Sequence, residues 1–310
     1  MDTMFSQLKH KVYTLSDNFF CLTAPNKSRF PFCNGFLLMG NETILIDTGL
    51  DKDTLLAVDK IKRIDTVIFT HSHPDHILNW HLFKDRQIWM PEETPPAITD
   101  LHQLGFRFMG TEEKAIYWAR LIGDGLGLKP FREPDMRFKD KDIIESGPFR
   151  LKAIHAPGHL SDHYCFFEEN SQTLITGDID FSGFGPFYGQ PECNIKLFRE
   201  SIKKVMALPY NQVCASHRSP FKGNATGLFE TFLNGFERHS QAILDLLDAP
   251  QTVPGLVQKS PIYKDMMPDK RLQETFESGM ISKNIALMLE TGRVLETDAG
   301  FIINDTRFAT

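Results

Sequence analysis

No stretch of this chain approaches the ~18 consecutive apolar residues that a membrane-spanning helix needs, so a membrane partner is not expected. Cysteine is scarce. The five, Cys21, Cys33, Cys165, Cys193 and Cys214, are scattered without C-x-x-C spacing, and two sit in apolar, strand-like runs. That excludes a disulfide scaffold and a cysteine-rich zinc module. An excess of basic charge is missing too: 34 Lys and Arg face 40 Asp and Glu, for a net charge of −6. No overall field would draw in a polyanion, and Lys60-Ile-Lys-Arg63, Lys203-Lys204 and Lys270-Arg271 read as solvated helix faces, so nucleic acid is disfavoured as a partner. The first nine residues lack the apolar core of a secretory signal, which points to a cytoplasmic location. Internal repeats and low-complexity segments are absent as well. What remains is 310 residues, 41% of them hydrophobic, enough to bury a large core in one domain with an appendage.

Against that background residues 71–76 stand out: His-Ser-His-Pro-Asp-His. Three imidazoles and a carboxylate in one short loop are four side chains of metal-ligand type. Asp65-Thr-Val-Ile-Phe-Thr70 before them is apolar and β-branched and reads as a buried strand. Ile77, Leu78, Trp80, His81 and Leu82 follow at helical spacing, so strand and helix would frame the loop. His71 and His73 alternate and could share one ion, while adjacent Asp75 and His76 would more easily serve a second. Zinc or iron wants more ligands than two. Three candidates follow strand-like runs: His159 after Phe149–His155, Asp178 after Thr173–Thr176, and His217 after Gln212–Ala215.

The pattern His71-x-His73-x-Asp75-His76, with His159, Asp178 and His217 following in order, resembles the metallo-β-lactamase-fold hydrolases. Asp47-Thr48-Gly49 after Glu42–Ile46 matches that family as well, and the resemblance covers roughly residues 10–220. It implies an α/β fold of the α+β kind, a four-layer αββα sandwich of two mixed sheets. By the same resemblance His71, His73 and His159 would hold one divalent cation, Asp75, His76 and His217 a second, and Asp178 would bridge them. Zinc leads as the expected cofactor, with iron or manganese as alternatives. Members include glyoxalase II-type thioesterases, lactonases, nucleases, phosphodiesterases, sulfur dioxygenases and lactamases, so the resemblance leaves the substrate open.

Two ions roughly 3.5–4 Å apart can share a hydroxide nucleophile while one polarises a substrate oxygen. The favoured reading is a dinuclear hydrolase of an ester, thioester, lactone or similar small molecule. The alternatives are a sulfur dioxygenase-like oxidation, a phosphodiesterase or nuclease of the same fold, and a catalytically weak metal-binding regulator. A complete second-site set counts against the one-iron dioxygenases, and His73 against the flavin-linked di-iron enzymes, which place Glu there. Asp75 is the catalytic candidate, as a ligand first and a proton acceptor second, because an adjacent cation lowers a carboxylate's pKa. His163 is either a support for the ligands or an ordinary strand residue, and Asp162 and Asp180 are equally open.

Residues 1–223 form the expected catalytic domain. Within it, 92–135 breaks the strand-loop rhythm as a helical insertion. A helix-like stretch from Glu112 to Ile122 offers Ile116, Tyr117, Trp118 and Leu121 either to cap the cleft or to pack the core. The loop after Asp178 holds Phe181, Phe184, Phe187 and Tyr188, candidate substrate walls, with the Tyr188 hydroxyl a candidate oxyanion donor. Residues 224–310 read as a helical region: a long amphipathic helix over Ala225–Leu247, one stretch after Pro268, another over Ile281–Leu289, and a hairpin over Gly292–Ile303. Helices followed by a hairpin look winged-helix-like. The charge balance of that unit suits packing, pocket closure or homodimer contacts better than DNA.

Overall fold

A computed structural model describes residues 3–264 and 266–304. The first half of the chain builds a seven-stranded sheet in the order β1 to β7: Val12–Ser16, Phe19–Leu22, Gly35–Met39, Thr43–Ile46, Thr66–Ile68, Gln87–Pro91 and Met136–Phe138. Pairing is antiparallel through β4 and parallel from β4 to β7. A second sheet of six strands follows: β8 (Ile143–Ser146), β9 (Phe149–His155), β10 (Tyr164–Glu168), β11 (Thr173–Ile175), β12 (Gln212–Cys214) and β13 (Phe221–Lys222). It is antiparallel except where β11 pairs β12.

Side chains alternate across a strand, and here both faces are buried. Phe36, Leu38, Ile44 and Ile46 of the first sheet meet Leu151, Ala153, Tyr164 and Phe166 of the second in an inter-sheet core. Their neighbours Leu37, Leu45, Cys165 and Phe167 point outward into a core shared with the helices. Both sheets are therefore covered on both sides, giving the expected αββα layering. Doubly buried strands explain the nearly continuous apolar runs Phe19–Leu22, Thr43–Ile46 and Tyr164–Phe167.

Residues 224–304 add the helices Thr226–Leu244, Val253–Lys259 and Lys270–Glu290, then a hairpin of β14 (Val294–Thr297) and β15 (Gly300–Ile303). Phe229, Phe232, Phe236, Met280 and Ile281 join the same core as the outer faces of the sheets. The two helical stretches read on either side of residue 280 are one helix. Its period is blurred because Gln273, Glu277 and Asn284 are buried polar residues. Glu277 earns that place by accepting hydrogen bonds from Ser260 Oγ and the N–H groups of Ile262 and Tyr263, at 2.9–3.0 Å. Among the described residues no helix is long and apolar enough to cross a membrane.

Candidate metal centre

Five strand ends meet at one edge. Asp47 follows β4, His71 follows β5, His159 follows β9, Asp178 follows β11 and His217 follows β12. The parallel pairs β4/β5 and β11/β12 bring carboxyl ends side by side, the usual place for a site in such sheets. Asp47 is held at φ 62, a conformation few non-glycine residues adopt. Its Oδ1 accepts from the Thr70 N–H (2.9 Å), and its Oδ2 accepts from Thr70 Oγ1 (2.9 Å) and His76 Nδ1 (2.8 Å). Gly49 lies so close beneath the 71–76 loop that a Cβ there would meet the Asp75 carbonyl at 2.0 Å. The loop itself is only a four-residue turn, Pro74–Ile77, then a 3-10 turn, Trp80–Phe83, where the sequence suggested a longer helix. Asn79 Nδ2 donates to the Leu50 carbonyl (2.8 Å) and Trp80 Nε1 to the Lys129 carbonyl (2.8 Å), which anchors the chain across the break.

All seven residues singled out in the sequence converge. His73 Nδ1 lies 3.0 Å from His71 Nε2 and 2.9 Å from His159 Nε2. Asp178 Oδ2 lies 3.6 Å from His71 Nε2, 3.9 Å from His73 Nδ1 and 3.1 Å from His159 Nε2. The other oxygen, Asp178 Oδ1, is 3.0 Å from His76 Nε2 and 3.3 Å from His217 Nε2, and Asp75 Oδ2 is 3.9 and 3.4 Å from those two atoms. Tetrahedral N/O ligands about 2.0–2.2 Å from an ion sit roughly 3.3–3.6 Å apart, a range that the 2.9–3.9 Å separations within the two clusters bracket.

The outward nitrogens settle the proton positions. His73 Nε2 donates to Gln190 Oε1 (2.8 Å), and His159 Nδ1 to the Phe187 carbonyl (3.1 Å). His217 Nδ1 donates to the Ser28 carbonyl (2.5 Å). Thr70 Oγ1, its own proton committed to Asp47, accepts from His71 Nδ1 at 3.0 Å. With those protons outward, the inward nitrogens of His71, His73 and His159 present lone pairs, and His73 Nδ1 lies 2.9–3.0 Å from the other two. Such lone pairs repel unless a cation lies between them, and the orienting acceptors are what a ligating imidazole requires.

Electrostatics agree. Burial works against charging His217, yet Asp178, Asp75 and Asp180 push its pKa up to about 10. His76, also buried, is raised well above the ordinary range beside Cys33, Asp178, Asp47 and Asp75. Asp178 is held well below the usual carboxylate range despite its burial, by His76, His217 and His71. Carboxylates that favour the charged form of two buried imidazoles make a field suited to cations.

The profile of the metallo-beta-lactamase superfamily matches residues 29–217. The chain belongs to that superfamily. Over 161 residues it is 30% identical to a hydroxyacylglutathione hydrolase of Pelagibacter ubique, covering 51% of this chain and 63% of that relative. Over 211 residues it is 26% identical to a probable metallo-hydrolase of Bacillus subtilis, covering 65% of this chain and 92% of the relative. The crystal structure of a metallo-beta-lactamase family protein from Thermus thermophilus superposes with a TM-score of 0.71 at 20% identity, covering 94% of this chain and all (100%) of that one. At that identity the likeness speaks for the fold.

Further buried side chains support the ligand loops. His163, left open in the sequence, is buried and neutral, its pKa lowered by burial to about 3. Its Nδ1 donates to the Ala156 carbonyl (2.9 Å) and its Nε2 accepts the Asp178 N–H (3.0 Å), so it fixes the backbone of the central carboxylate. Asp162 is wholly buried and paired with Arg107 at 3.0 Å. Arg107, from the insertion helix Leu101–Met109, also donates to Ser72 Oγ (2.5 Å) and pairs with Glu192 at 2.7 Å. One guanidinium thus ties the loops bearing His71, His159 and Gln190 to the insertion. Burial opposes ionisation of Asp162, but Arg107, Ser72 and Thr94 hold its pKa low. Arg107→Met, which strands this carboxylate, is expected to cost about 3–5 kcal/mol of stability. Arg107→Met/Asp162→Asn should recover part of that loss. Because the Asp162 pKa is depressed, the pair's contribution is present above the ordinary pKa of about 3.9 and is lost as pH falls below it. Urea unfolding of the three proteins at pH 7 and pH 3.5 checks both statements.

Other expectations need correction. Tyr188 is fully buried and points away from the cleft; its hydroxyl meets His239 Nδ1 (3.1 Å) and receives a hydrogen bond from Asn284 Nδ2 (2.9 Å). No oxyanion can reach it. The helix expected over Glu112–Ile122 ends at Ala119 and continues as a wider π-type turn, Arg120–Gly125. Of its apolar residues Trp118 faces the cleft, whereas Ile116 is exposed. Phe181 and Phe187 line the cleft, as does Asp180. Gln190 and Arg107 were not identified from the sequence, since a single glutamine or helix arginine carries no local signal. Lys283 of the last long helix holds the Gln190 carbonyl (2.7 Å), so the C-terminal region reaches the His73 support.

Proposed function

We propose that the chain is a dinuclear metal-dependent hydrolase of small esters or thioesters. The observation that carries this reading is the division of one carboxylate: Asp178 Oδ2 faces His71, His73 and His159, and Oδ1 faces His76 and His217. Two divalent cations held there would supply an acidified water and Lewis-acid polarisation of a carbonyl. Zinc is the first choice, with iron and manganese compatible with the same imidazole and carboxylate donors. Asp178 holds the two clusters in register. Asp75 presents Oδ2 to His76 and His217, and its second oxygen is where a proton leaving water would be taken up. Asp47, Gln190, Ser28 and His163 keep the ligands from turning. The adjoining cleft, about 600 Å³, is of the size that accepts small organic ligands.

The name of the Pelagibacter relative favours a thioester as the first substrate to try. A panel of thioesters, esters and lactones should be tested against metal-loaded and chelator-treated protein. Turnover of thioesters that disappears on chelation and returns with added zinc is expected. Protein that holds two equivalents of metal and cleaves nothing on the panel would overturn the reading.

A further inference from the structure

Two arginines flank the His217 end of the cleft, and neither holds a candidate ligand. Arg29 and Arg218 both line it. They come from distant segments fastened together by a buried asparagine. Asn34 Nδ2 donates to the carbonyls of Ala215 (2.9 Å) and Arg218 (2.8 Å), and the Asn34 N–H donates to the Ser216 carbonyl (2.7 Å). Its Oδ1 accepts from Ser28 Oγ at 2.6 Å. The chain reaches Arg29 through Asn26, Lys27 and Ser28, three successive non-glycine residues at φ 51, 56 and 55. Left-handed runs of this kind are unfavourable and persist only where the surroundings impose them. The same turn orients His217 through the Ser28 carbonyl. Arg218 Nη1 donates to the Phe181 carbonyl (3.1 Å), and among the described residues neither guanidinium is paired with a carboxylate. Asp180, at the same end, is occupied by the Ser182 N–H (3.0 Å).

The opposite end is apolar. Phe187 packs beside His73 and His159, at 6.2 and 5.9 Å between ring centroids, and Phe276 stacks edge-on against it at 5.2 Å. Trp118 and Ile122 of the insertion face Met267 and Leu272 of the C-terminal region across the cleft. The Tyr117 hydroxyl hydrogen-bonds Asp269, which clasps those two segments together. The cleft is therefore polarised, with cations at one end, an apolar wall at the other and the candidate metal centre between.

We propose that this cleft selects amphiphilic anions: molecules with an apolar half against Trp118 and Phe276 and an oxyanion between Arg29 and Arg218. The inference rests on the hydrolase reading for the bond cleaved but not for the selection itself. In a thioester of this shape water adds its oxygen to the acyl carbon, the C–S bond breaks, and the thiol leaves with a proton.

Two probe pairs test it. The unreactive thioethers S-octyl-3-mercaptopropionate and S-octyl-N-acetylcysteamine differ in carrying a carboxylate or a neutral amide. Calorimetry on the metal-loaded protein should show the carboxylate binding at least about tenfold more tightly, the range of a charge-assisted hydrogen bond. In Arg29→Gln/Arg218→Gln the two probes should bind within about twofold of each other. Shortening octyl to butyl should weaken binding by about tenfold or more, given roughly fourfold per fully buried methylene, and Trp118→Ala should flatten that dependence. Equal binding of the two octyl probes overturns the proposal. So does a preference that survives Arg29→Gln/Arg218→Gln, which would put the carboxylate on the cations instead. The matching octanoyl thioesters, assayed alongside, separate this from the hydrolase reading. Turnover without anionic preference sinks the selection alone, and anionic preference without turnover sinks the hydrolase alone.

Discussion

Asp178→Asn is expected to lower thioester turnover by about a thousandfold or more while the protein still folds. An amide keeps the shape of the carboxylate but loses its charge and replaces one oxygen with an N–H₂ group. Whichever oxygen is replaced, one of the two clusters would face a donor where it now faces Oδ1 or Oδ2. Lewis-acid catalysis contributes several kcal/mol, and each 1.36 kcal/mol is a factor of ten in rate. The fold should survive because Asp178 follows β11, whose pairing with β10 and β12 does not involve its side chain. Steady-state kinetics beside circular dichroism of the variant separate the two effects. Wild-type turnover in Asp178→Asn would remove this carboxylate from the mechanism.

Stripping the metal should produce the second large effect, on stability. A ligand bound only by the native state stabilises it by about 4 kcal/mol at a thousandfold excess over its dissociation constant. Two such sites contribute about 8 kcal/mol, and a chain of this size shifts its melting temperature by roughly 2 °C per kcal/mol. Chelation is therefore expected to lower the melting temperature by roughly 15 °C. The stripped protein should also respond to pH. His217 without its cation has a pKa raised to about 10. Its proton stabilises the stripped fold fully below the ordinary histidine pKa of about 6.5, and that contribution fades as pH rises toward 10. The gap between loaded and stripped melting temperatures should thus widen from pH 7 to pH 9. Scanning calorimetry with and without chelator at both values measures it. A chelated protein that melts where the loaded one does would speak against ions held by these residues.

Much of this was legible in the chain because ligand chemistry is concentrated. His71, His73, Asp75 and His76 share one loop, and His159, Asp178 and His217 each follow an apolar run that the sheets turn into a strand. Burial of both sheet faces made those runs short, continuous and apolar, which is readable as strands. The supports were harder to see. Asp47 was recognised only as part of a turn, and its bond to His76 exists because β4 and β5 lie side by side. Ser28 reaches His217 through a carbonyl, which no residue type announces. Tyr188 misled for the opposite reason: a phenol in a glycine-rich loop beside the ligands suggested an oxyanion donor, yet Phe236 stacks on its ring and His239 and Asn284 satisfy its hydroxyl. Which way a loop side chain faces depends on what packs behind it, here the helix Thr226–Leu244, and that is a tertiary fact.

The most direct test of the account is the number of metal ions per chain. Protein loaded with excess zinc, desalted and analysed for elemental content should hold two equivalents, falling toward one in His76→Ala/His217→Ala. Fewer than one equivalent in the unmodified protein, or two retained in that variant, would contradict the paired centre.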